Sequence, residues 1–259
     1  MTFEEAVARA NNGDLDSIMA LGRYYYGEDA DESNKDIDKA IEWYEKGGEF
    51  GYSNCMMLAA ILLSMCGHAI RKIAGGDQTP DDAIPKLNRG LYWARKAKEH
   101  GENADEQIVS LIGEIGIAYF YCARGGSYVK PTRENSITWC SESIRLLKSV
   151  YMSTKDPEVY VILAFALNFY GELLGYTDDN NRLEFYLYNK VVNEYFGNVM
   201  HSDICACYLG MMYTYGRGCP VDYNKAVYYF QMAQSAGFDC SEMLSCFKKK
   251  MFGGYTLKK

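Results

Sequence analysis

The feature that most constrains the fold of this chain is a spaced pattern of residue types that occurs three times in the sequence. The stretches are AIEWYEKGGEFG from Ala40, GLYWARKAKEHG from Gly90 and AVYYFQMAQSAG from Ala226. Each has a small residue, an aromatic residue three positions later, a second small residue at seven and a glycine at eleven. Weaker copies begin at Ser136 and Arg182, so the five starts lie 50, 46, 46 and 44 residues apart. Repetition at such a period is typical of stacked supersecondary units.

The spacing predicts a helix whose small residues meet a neighbouring helix. Offsets of zero, three, seven and eleven lie on one helical face, and small side chains there allow another helix to approach closely. The glycine at the last offset ends the helix, because glycine adopts the left-handed conformation at little cost. A second pattern precedes the copies and is centred on Gly22, Ala60, Gly116, Ala166 and Gly210. Each unit is therefore predicted to be two antiparallel helices, A followed by B.

The two patterns set the boundaries of a predicted all-α chain. The A helices are expected at 14–26, 53–70, 104–123, 157–175 and 202–215, and the B helices at 37–50, 84–100, 132–150, 180–196 and 222–236. Capping signals at three of the starts are Thr132, Asp156 and Asp222. The units are 14–51, 52–101, 102–150, 156–197 and 198–237, with end helices at 2–12 and 240–252. We expect one continuous domain over 1–252, a long loop at 71–83 and a frayed tail at 253–259.

Residues 208–237, YLGMMYTYGRGCPVDYNKAVYYFQMAQSAG, resemble a Sel-one-like repeat, the longer-looped relative of the tetratricopeptide repeat. The resemblance rests on the Leu-Gly pair, the Tyr-x-x-Gly-x-Gly turn, the Lys-Ala start of helix B, the aromatic pair and the terminal glycine. Residues 20–51 and 84–101 match nearly as well, whereas the middle units are longer and lack the Gly-x-Gly turn. The resemblance implies a right-handed α/α superhelix (solenoid) of about five helix-turn-helix repeats that binds proteins or peptides on its concave surface.

The same analogy nominates residues of the concave face. In tetratricopeptide arrays the inner surface comes from A-helix positions that point away from helix B, and we count these from the small residue in the middle of each A helix. The positions are Asp16, Met19, Arg23, Tyr26, Asn54, Met57, Ile61, Ser64, Tyr121, Tyr160, Tyr170, Cys207, Met211 and Tyr215. The set combines tyrosine, methionine and arginine with adaptable polar groups, as interface cores do.

Charge is distributed unevenly along the chain. Residues 1–50 contain thirteen acidic and five basic residues, a net charge of −8, whereas the whole chain carries −7. The run EDADESNKDID at 28–38 is either a solvated loop or a docking patch for a basic partner. Residues 71–100 are rich in lysine and arginine instead. The overall acidity argues against nucleic-acid binding, which requires neutralisation of phosphates.

Catalytic and metal-binding motifs are absent from the sequence. It has no Gly-x-x-x-x-Gly-Lys phosphate loop, no Gly-x-Ser-x-Gly elbow and no His-Glu-x-x-His motif. His201 and Cys205 lie four positions apart on one helical face, but no second pair at zinc spacing accompanies them. We therefore expect no enzyme activity, no cofactor and no metal.

Cysteine use and hydropathy favour a cytoplasmic protein. The resemblance implies that secreted relatives carry paired cysteines; Cys55 and Cys240 occupy the second position of such pairs, but Gly47–Gly48 and Gln234 stand in the region of the first. The nine cysteines are therefore expected as free thiols in a reducing compartment. The segment MTFEEAVARA lacks the features of a secretion signal. The apolar stretch 56–66 is shorter than the about 20 residues that span a bilayer, so no membrane association is expected.

The leading hypothesis from the sequence is a cytoplasmic, non-enzymatic scaffold or adaptor that binds a protein or peptide in its concave groove. The acidic first unit would steer a basic partner, and one variant of this function is the neutralisation of a toxin. Two alternatives stay open. One is a regulator or enzyme that binds a small ligand in the groove, and the other is a structural homo-oligomer built through the end helices. The oligomeric state is left open.

Overall fold

The computed structural model describes residues 2–27, 35–72, 80–125, 130–251 and 253–258, with the side chains at 71–72 and 80–81 excepted. These ranges contain twelve α-helices and one two-stranded antiparallel sheet. The first six helices are α1 (Phe3–Asn11), α2 (Leu15–Tyr26), α3 (Ile37–Glu49), α4 (Ser53–Lys72), α5 (Pro80–Glu99) and α6 (Asp105–Arg124). The next six are α7 (Arg133–Val150), α8 (Pro157–Leu174), α9 (Asp178–Glu194), α10 (Ser202–Tyr215), α11 (Tyr223–Ser235) and α12 (Ser241–Ser245). The strands are β1 (Phe247–Lys249) and β2 (Tyr255–Leu257).

The chain forms two compact units, Met1–Lys130 and Pro131–Lys259. In the first unit, consecutive helices from α1 to α6 pack against each other in pairs. In the second unit, consecutive helices from α7 to α11 pack in the same way. This consecutive helix-turn-helix packing confirms the predicted all-α repeat fold. The boundary between the units falls between α6 and α7, inside the third predicted repeat (102–150), where the sequence predicted one continuous domain.

Small residues lie where paired helices come closest, as the spacing predicts. A Cβ atom on Gly22 of α2 would lie 2.4 Å from Cε1 of Tyr44 in α3. At the equivalent position of the last repeat, a Cβ atom on Gly210 of α10 would lie 2.8 Å from Cε1 of Phe230 in α11. Both distances are well inside van der Waals contact, so an aromatic ring fills the space that each glycine leaves.

The predicted helix ends are confirmed at starts and at stops. The side chains of three N-cap residues accept hydrogen bonds from backbone N–H groups in the first turn of α7, α8 and α11; these residues are Thr132, Asp156 and Asp222. Such caps satisfy donors that have no partner within the helix. Gly51 and Gly101, which follow helices α3 and α5, have φ angles of +91° and +94°. This left-handed conformation ends a helix at little cost only when the residue is glycine.

The helices on both sides extend into the loop predicted at 71–83. Helix α4 continues to Lys72, and α5 begins at Pro80 rather than at residue 84. Residues 73–79 lie outside the described part of the chain. Proline is well suited to the first position of a helix, because its missing N–H would have no partner there. Helix α5 therefore includes Pro80, where the sequence predicted a loop.

The C-terminal segment differs from the predicted end helix at 240–252 and frayed tail at 253–259. Helix α12 spans only Ser241–Ser245. Strands β1 and β2 follow it and pair antiparallel, with Phe247 opposite Leu257. The prediction of a long end helix was therefore wrong, and the tail is part of a β-hairpin.

Burial of one aromatic ring explains why the hairpin forms. The side chain of Phe247 is buried, and its ring centroid lies 6.0 Å from those of Tyr223 and Phe230 in α11. Burying such a ring stabilises the fold by about 1.5–3 kcal/mol. A short isolated helix is only marginally stable, so this tertiary contact decides the local structure.

Two described helices are long and apolar enough to cross a membrane by length and composition alone, at Ser53–Ile70 of α4 and Pro157–Leu174 of α8. Inside the fold, 44% of the first window and 61% of the second are buried. Helix α4 packs between α3 and α5, and α8 packs between α7 and α9. Core helices of soluble proteins pass the same test, so the two windows are weak indications of a membrane span.

Candidate partner-binding face

In the first unit, nominated residues of α2 and α4 lie on neighbouring helices. On α2, Asp16 and Arg23 are exposed, whereas Met19 and Tyr26 are half-buried. The Sδ atom of Met19 lies 3.7 Å from the Sγ atom of Cys55 at the start of α4. This contact places consecutive A helices next to each other, as stacked repeats require.

The nominated residues of α4 have a matching pattern of exposure. Asn54 is exposed, and Met57, Ile61 and Ser64 are half-buried. Their spacing of three, seven and ten residues equals that on α2, so each set lies along one face of its helix. We call these eight residues of α2 and α4 the A-helix face. Methionine and isoleucine form its middle and exposed polar side chains border them, which is the usual anatomy of a protein interface.

Tyr160 and Cys207, two nominated residues of the second unit, are buried and therefore not accessible to a partner. The ring of Tyr160 stacks on Tyr195 with centroids 6.1 Å apart, and Nζ of Lys190 lies 5.2 Å from the Tyr160 centroid. Cys207 is 3% exposed and lies beside the thiol of Cys240. The elements that follow α9 and α11 cover these side chains, which counting from a mid-helix small residue does not anticipate.

The other nominated residues keep access to solvent. Tyr121 of α6, Tyr170 of α8 and Met211 of α10 are half-buried, and Tyr215 at the end of α10 is 77% exposed. In the described part of the chain, the second unit thus has three accessible nominated positions, whereas the A-helix face has eight. The first unit is therefore the stronger candidate.

Ion pairs join the B helices α3 and α5 of the first unit. The carboxylate of Asp38 lies 2.6 Å from Nζ of Lys86. The carboxylate of Glu45, only 7% exposed, is paired with the guanidinium of Arg89 and accepts a hydrogen bond of 2.7 Å from Nε1 of Trp93. A buried carboxylate needs such partners, because its desolvation is costly.

These pairs reduce the acidic surface that the sequence assigned to a docking patch. Two acids of α3, Asp38 and Glu45, pair with bases of the lysine- and arginine-rich segment 71–100. Asp36 caps α3 and lies 3.3 Å from Nζ of Lys39. Residues 28–34, most of the acidic run, lie outside the described residues. Asp16, on the A-helix face, is an acidic side chain that remains exposed.

The second unit contains a buried carboxylate of its own. Glu184 of α9 is 1% exposed, and its Oε1 accepts hydrogen bonds from Nη2 of Arg217 at 2.8 Å and from Nδ2 of Asn168 at 3.1 Å. Burial raises the pKa of Glu184 to about 7, against the opposing effects of Arg217 and Asn168. The guanidinium of Arg217 also lies 4.3 Å from the ring centroid of Tyr176. The cluster holds the turn after α10 against helix α9, so its role is structural.

The geometry of the described residues does not support metal ligation, and two of the buried thiols are poorly reactive. Within them, no group of three or more His, Cys, Asp or Glu residues could hold a metal ion. His201 is the N-cap residue of α10 with a φ of 65°, and Cys205 is fully buried. Burial raises the pKa of the Cys55 thiol to about 11 and of the Cys140 thiol to about 12, so these thiols are poor nucleophiles.

Sequence reasoning missed two exposed tyrosines on B helices. Tyr92 of α5 is 53% exposed and Tyr228 of α11 is 59% exposed. They border surface depressions of about 240 Å³ and 590 Å³, respectively. Both residues stand two positions after the small residue that opens the repeated pattern, in GLYW and AVYY. That shared offset was the signal that could have identified them.

The fold and its exposed faces define an α-helical repeat protein built to present surfaces. The family model for the Sel1 repeat matches residues 15–49, 76–102 and 204–238. These ranges fall on α2–α3, α5 and α10–α11, where the sequence most resembled such repeats. The chain thus contains Sel1 repeats in these three ranges, and the resemblance is confirmed there. Sel1 repeats generally act as protein–protein interaction scaffolds and are typically non-enzymatic.

Two solved structures are similar to the chain at low identity. One is c5321, a protective antigen of uropathogenic Escherichia coli with an SLR fold, at 18% identity and a TM-score of 0.33, covering 92% of this chain and 49% of that chain. The other is a Sel1 repeat protein from Oxalobacter formigenes, at 19% identity and a TM-score of 0.35, covering 91% of this chain and 85% of that chain. The chain spans about half the length of the first. No curated protein matches the chain.

Proposed function

We propose that this chain is a non-enzymatic, cytoplasmic scaffold or adaptor that binds a protein or peptide across the A-helix face of its first unit. The observation that carries the proposal is the contact between α2 and α4, which brings half-buried Met19 and Met57 onto neighbouring helices among exposed polar side chains. Methionine side chains adapt to differently shaped partner surfaces. The unpaired state of all nine cysteines supports a reducing compartment.

A basic partner is the finer part of the proposal. The net charge of −8 in residues 1–50 supports it, and exposed Asp16 lies on the face itself. A toxin that the chain neutralises would be one such partner. Salt screens long-range attraction, so association with a basic partner should slow several-fold between about 0.05 M and about 0.5 M salt. An association rate that does not change with salt would contradict the basic-partner proposal. It would not contradict the proposal that a partner binds across the A-helix face.

Affinity capture from lysate, followed by mass spectrometry, tests the face with paired variants. Arg23→Glu reverses a charge on the A-helix face, and Arg95→Glu makes the same change on exposed α5 surface. Met57→Asp places a charge in the middle of the face, and Met65→Asp does so at a 51% exposed position of α4 that was not nominated. Circular dichroism checks that all four variants retain the helical fold.

We expect the same proteins to be captured by the wild type and by the two control variants. Met57→Asp should lose at least about tenfold of the captured amount, because a charge buried at the centre of an interface costs more than about 1.4 kcal/mol. Arg23→Glu should instead raise the captured amount of a basic partner, because it replaces a like charge on the face with an opposite one. Equal capture by face and control variants would contradict the proposal. Sedimentation that shows stable self-association of the wild type, lost in Met57→Asp, would assign the A-helix face to a second copy of the chain instead.

A further inference from the structure

We propose that the outer edge of strand β1 binds an acidic, extended peptide segment of another protein as a third strand. This surface goes beyond the A-helix face, because it lies on the C-terminal hairpin and not on a repeat helix. Three observations carry the proposal: the direction of the backbone groups of β1, the position of β2 against α11, and the charge of the hairpin.

The hydrogen bonds of the hairpin fix which backbone groups point outward. The N–H of Lys258 donates to the carbonyl of Cys246 at 2.8 Å, and the N–H of Lys250 donates to the carbonyl of Gly254 at 2.9 Å. In an antiparallel pair, bonded and non-bonded positions alternate. Lys249, opposite Tyr255, is therefore a non-bonded position, and its N–H and C=O point away from β2. In the described part of the chain, neither group has a hydrogen-bond partner.

The outer edge of β2, in contrast, is already occupied. The N–H of Tyr255 donates to Oδ1 of Asn224 in α11 at 2.8 Å. A Cβ atom on Gly254 would lie 3.1 Å from the same oxygen, which shows how closely the strand approaches the helix. Because α11 covers the β2 edge, β1 is the edge that another strand can approach.

The charge of the hairpin selects the kind of strand. Its exposed lysines are Lys248, Lys249, Lys250 and Lys258. None of these four ammonium groups forms an ion pair with a described residue. A second copy of β1 would bring lysines opposite lysines, which is unfavourable between paired strands. An acidic strand would neutralise the same charges while it gains the backbone hydrogen bonds, so its chemistry fits the edge.

A capped pentapeptide of alternating glutamate and valine is a suitable probe. Binding to the full-length chain is measured by fluorescence anisotropy of the labelled peptide and by the NMR shift of the Lys249 amide. Two variants separate charge from strand pairing. Lys249→Gln removes only the charge, whereas Lys249→Pro also removes the outward N–H, and proline is tolerated on a strand edge. The NMR shift of the Tyr255 amide reports whether the hairpin is intact in each variant.

We expect saturable binding that Lys249→Gln weakens by about twofold to fivefold. Lys249→Pro should weaken it by a further factor of about three to ten, the contribution of one hydrogen bond. The same peptide N-methylated at every residue keeps its charge but should not bind. The proposal is overturned by equal binding of the methylated peptide, by equal affinity of the two variants, or by no saturable binding. A dimer of the wild type that Lys249→Pro dissociates would assign the edge to a second copy and also overturn it.

Discussion

Replacing Gly22 by alanine tests the close packing that holds each helix pair together. The new Cβ atom would lie 2.4 Å from Cε1 and 2.5 Å from Cζ of Tyr44, whose side chain is 4% exposed. The ring must therefore move, and overpacking of this kind costs about 1–3 kcal/mol. Alanine in place of a helical glycine contributes about 1 kcal/mol in the opposite direction. We expect Gly22→Ala to lower the free energy of unfolding by up to about 2 kcal/mol, although alanine is the better helix former.

Urea unfolding followed by circular dichroism measures the total change, and hydrogen exchange of α2 and α3 locates it. Ala20→Gly is the matched control, because Ala20 is exposed on the same helix and its replacement should cost only the propensity difference of about 0.5–1 kcal/mol. In a Tyr44→Leu background, the Gly22→Ala change should become stabilising by about 1 kcal/mol. Stabilisation by Gly22→Ala in the presence of Tyr44 would refute the reasoning.

Three further predictions concern charges and caps. Arg89→Met should destabilise the chain by about 1–3 kcal/mol in urea unfolding, because it leaves buried Glu45 unpaired, whereas Lys98→Met, at an exposed pair with Asp105, should cost under about 0.5 kcal/mol. Since burial raises the pKa of Glu184 from 4.5 to about 7, the folded chain holds this proton more tightly than the unfolded chain. The free energy of unfolding should therefore fall as pH rises from about 4.5 to about 7, and Glu184→Gln should flatten that slope; an unchanged slope would contradict it. Asp222→Ala should lower the melting temperature through the loss of about 1 kcal/mol, because Asp222 accepts from the N–H groups of Asn224 and Lys225.

The helices could be predicted from the sequence because their signals are local. Helix α10 at Ser202–Tyr215 matches its predicted range, and α11 at Tyr223–Ser235 lies within one residue of its own. A capping aspartate and the spacing of small residues are enough to place such helices. The C-terminal hairpin was missed because the burial of Phe247 against α11 is a tertiary contact, and no local pattern announces it.

The candidate site could be predicted only in part. The eight positions nominated from the shared register of α2 and α4 are exposed or half-buried, and their role in partner binding stays a prediction. The same register failed for Tyr160 and Cys207, since Tyr195 and Cys240 pack over them from the ends of other elements. The sequence also did not show that part of the acidic charge of residues 1–50 is paired, because pairing of Glu45 with Arg89 depends on how α3 meets α5. The exposure of a side chain and its ion pairing depend on how the helices pack together. The position of a helix depends mainly on the residues of its own segment.

Hydroxyl-radical footprinting of the chain, alone and with a captured partner, tests the account most directly. Met19 and Met57 on the A-helix face should be oxidised in the free chain and become protected when the partner is bound, because their half-buried side chains would then lie inside the interface. Tyr92 and Tyr228 on the B helices should be oxidised equally in both samples. Protection of these tyrosines, with Met19 and Met57 unchanged, would contradict the proposal that the partner binds across α2 and α4.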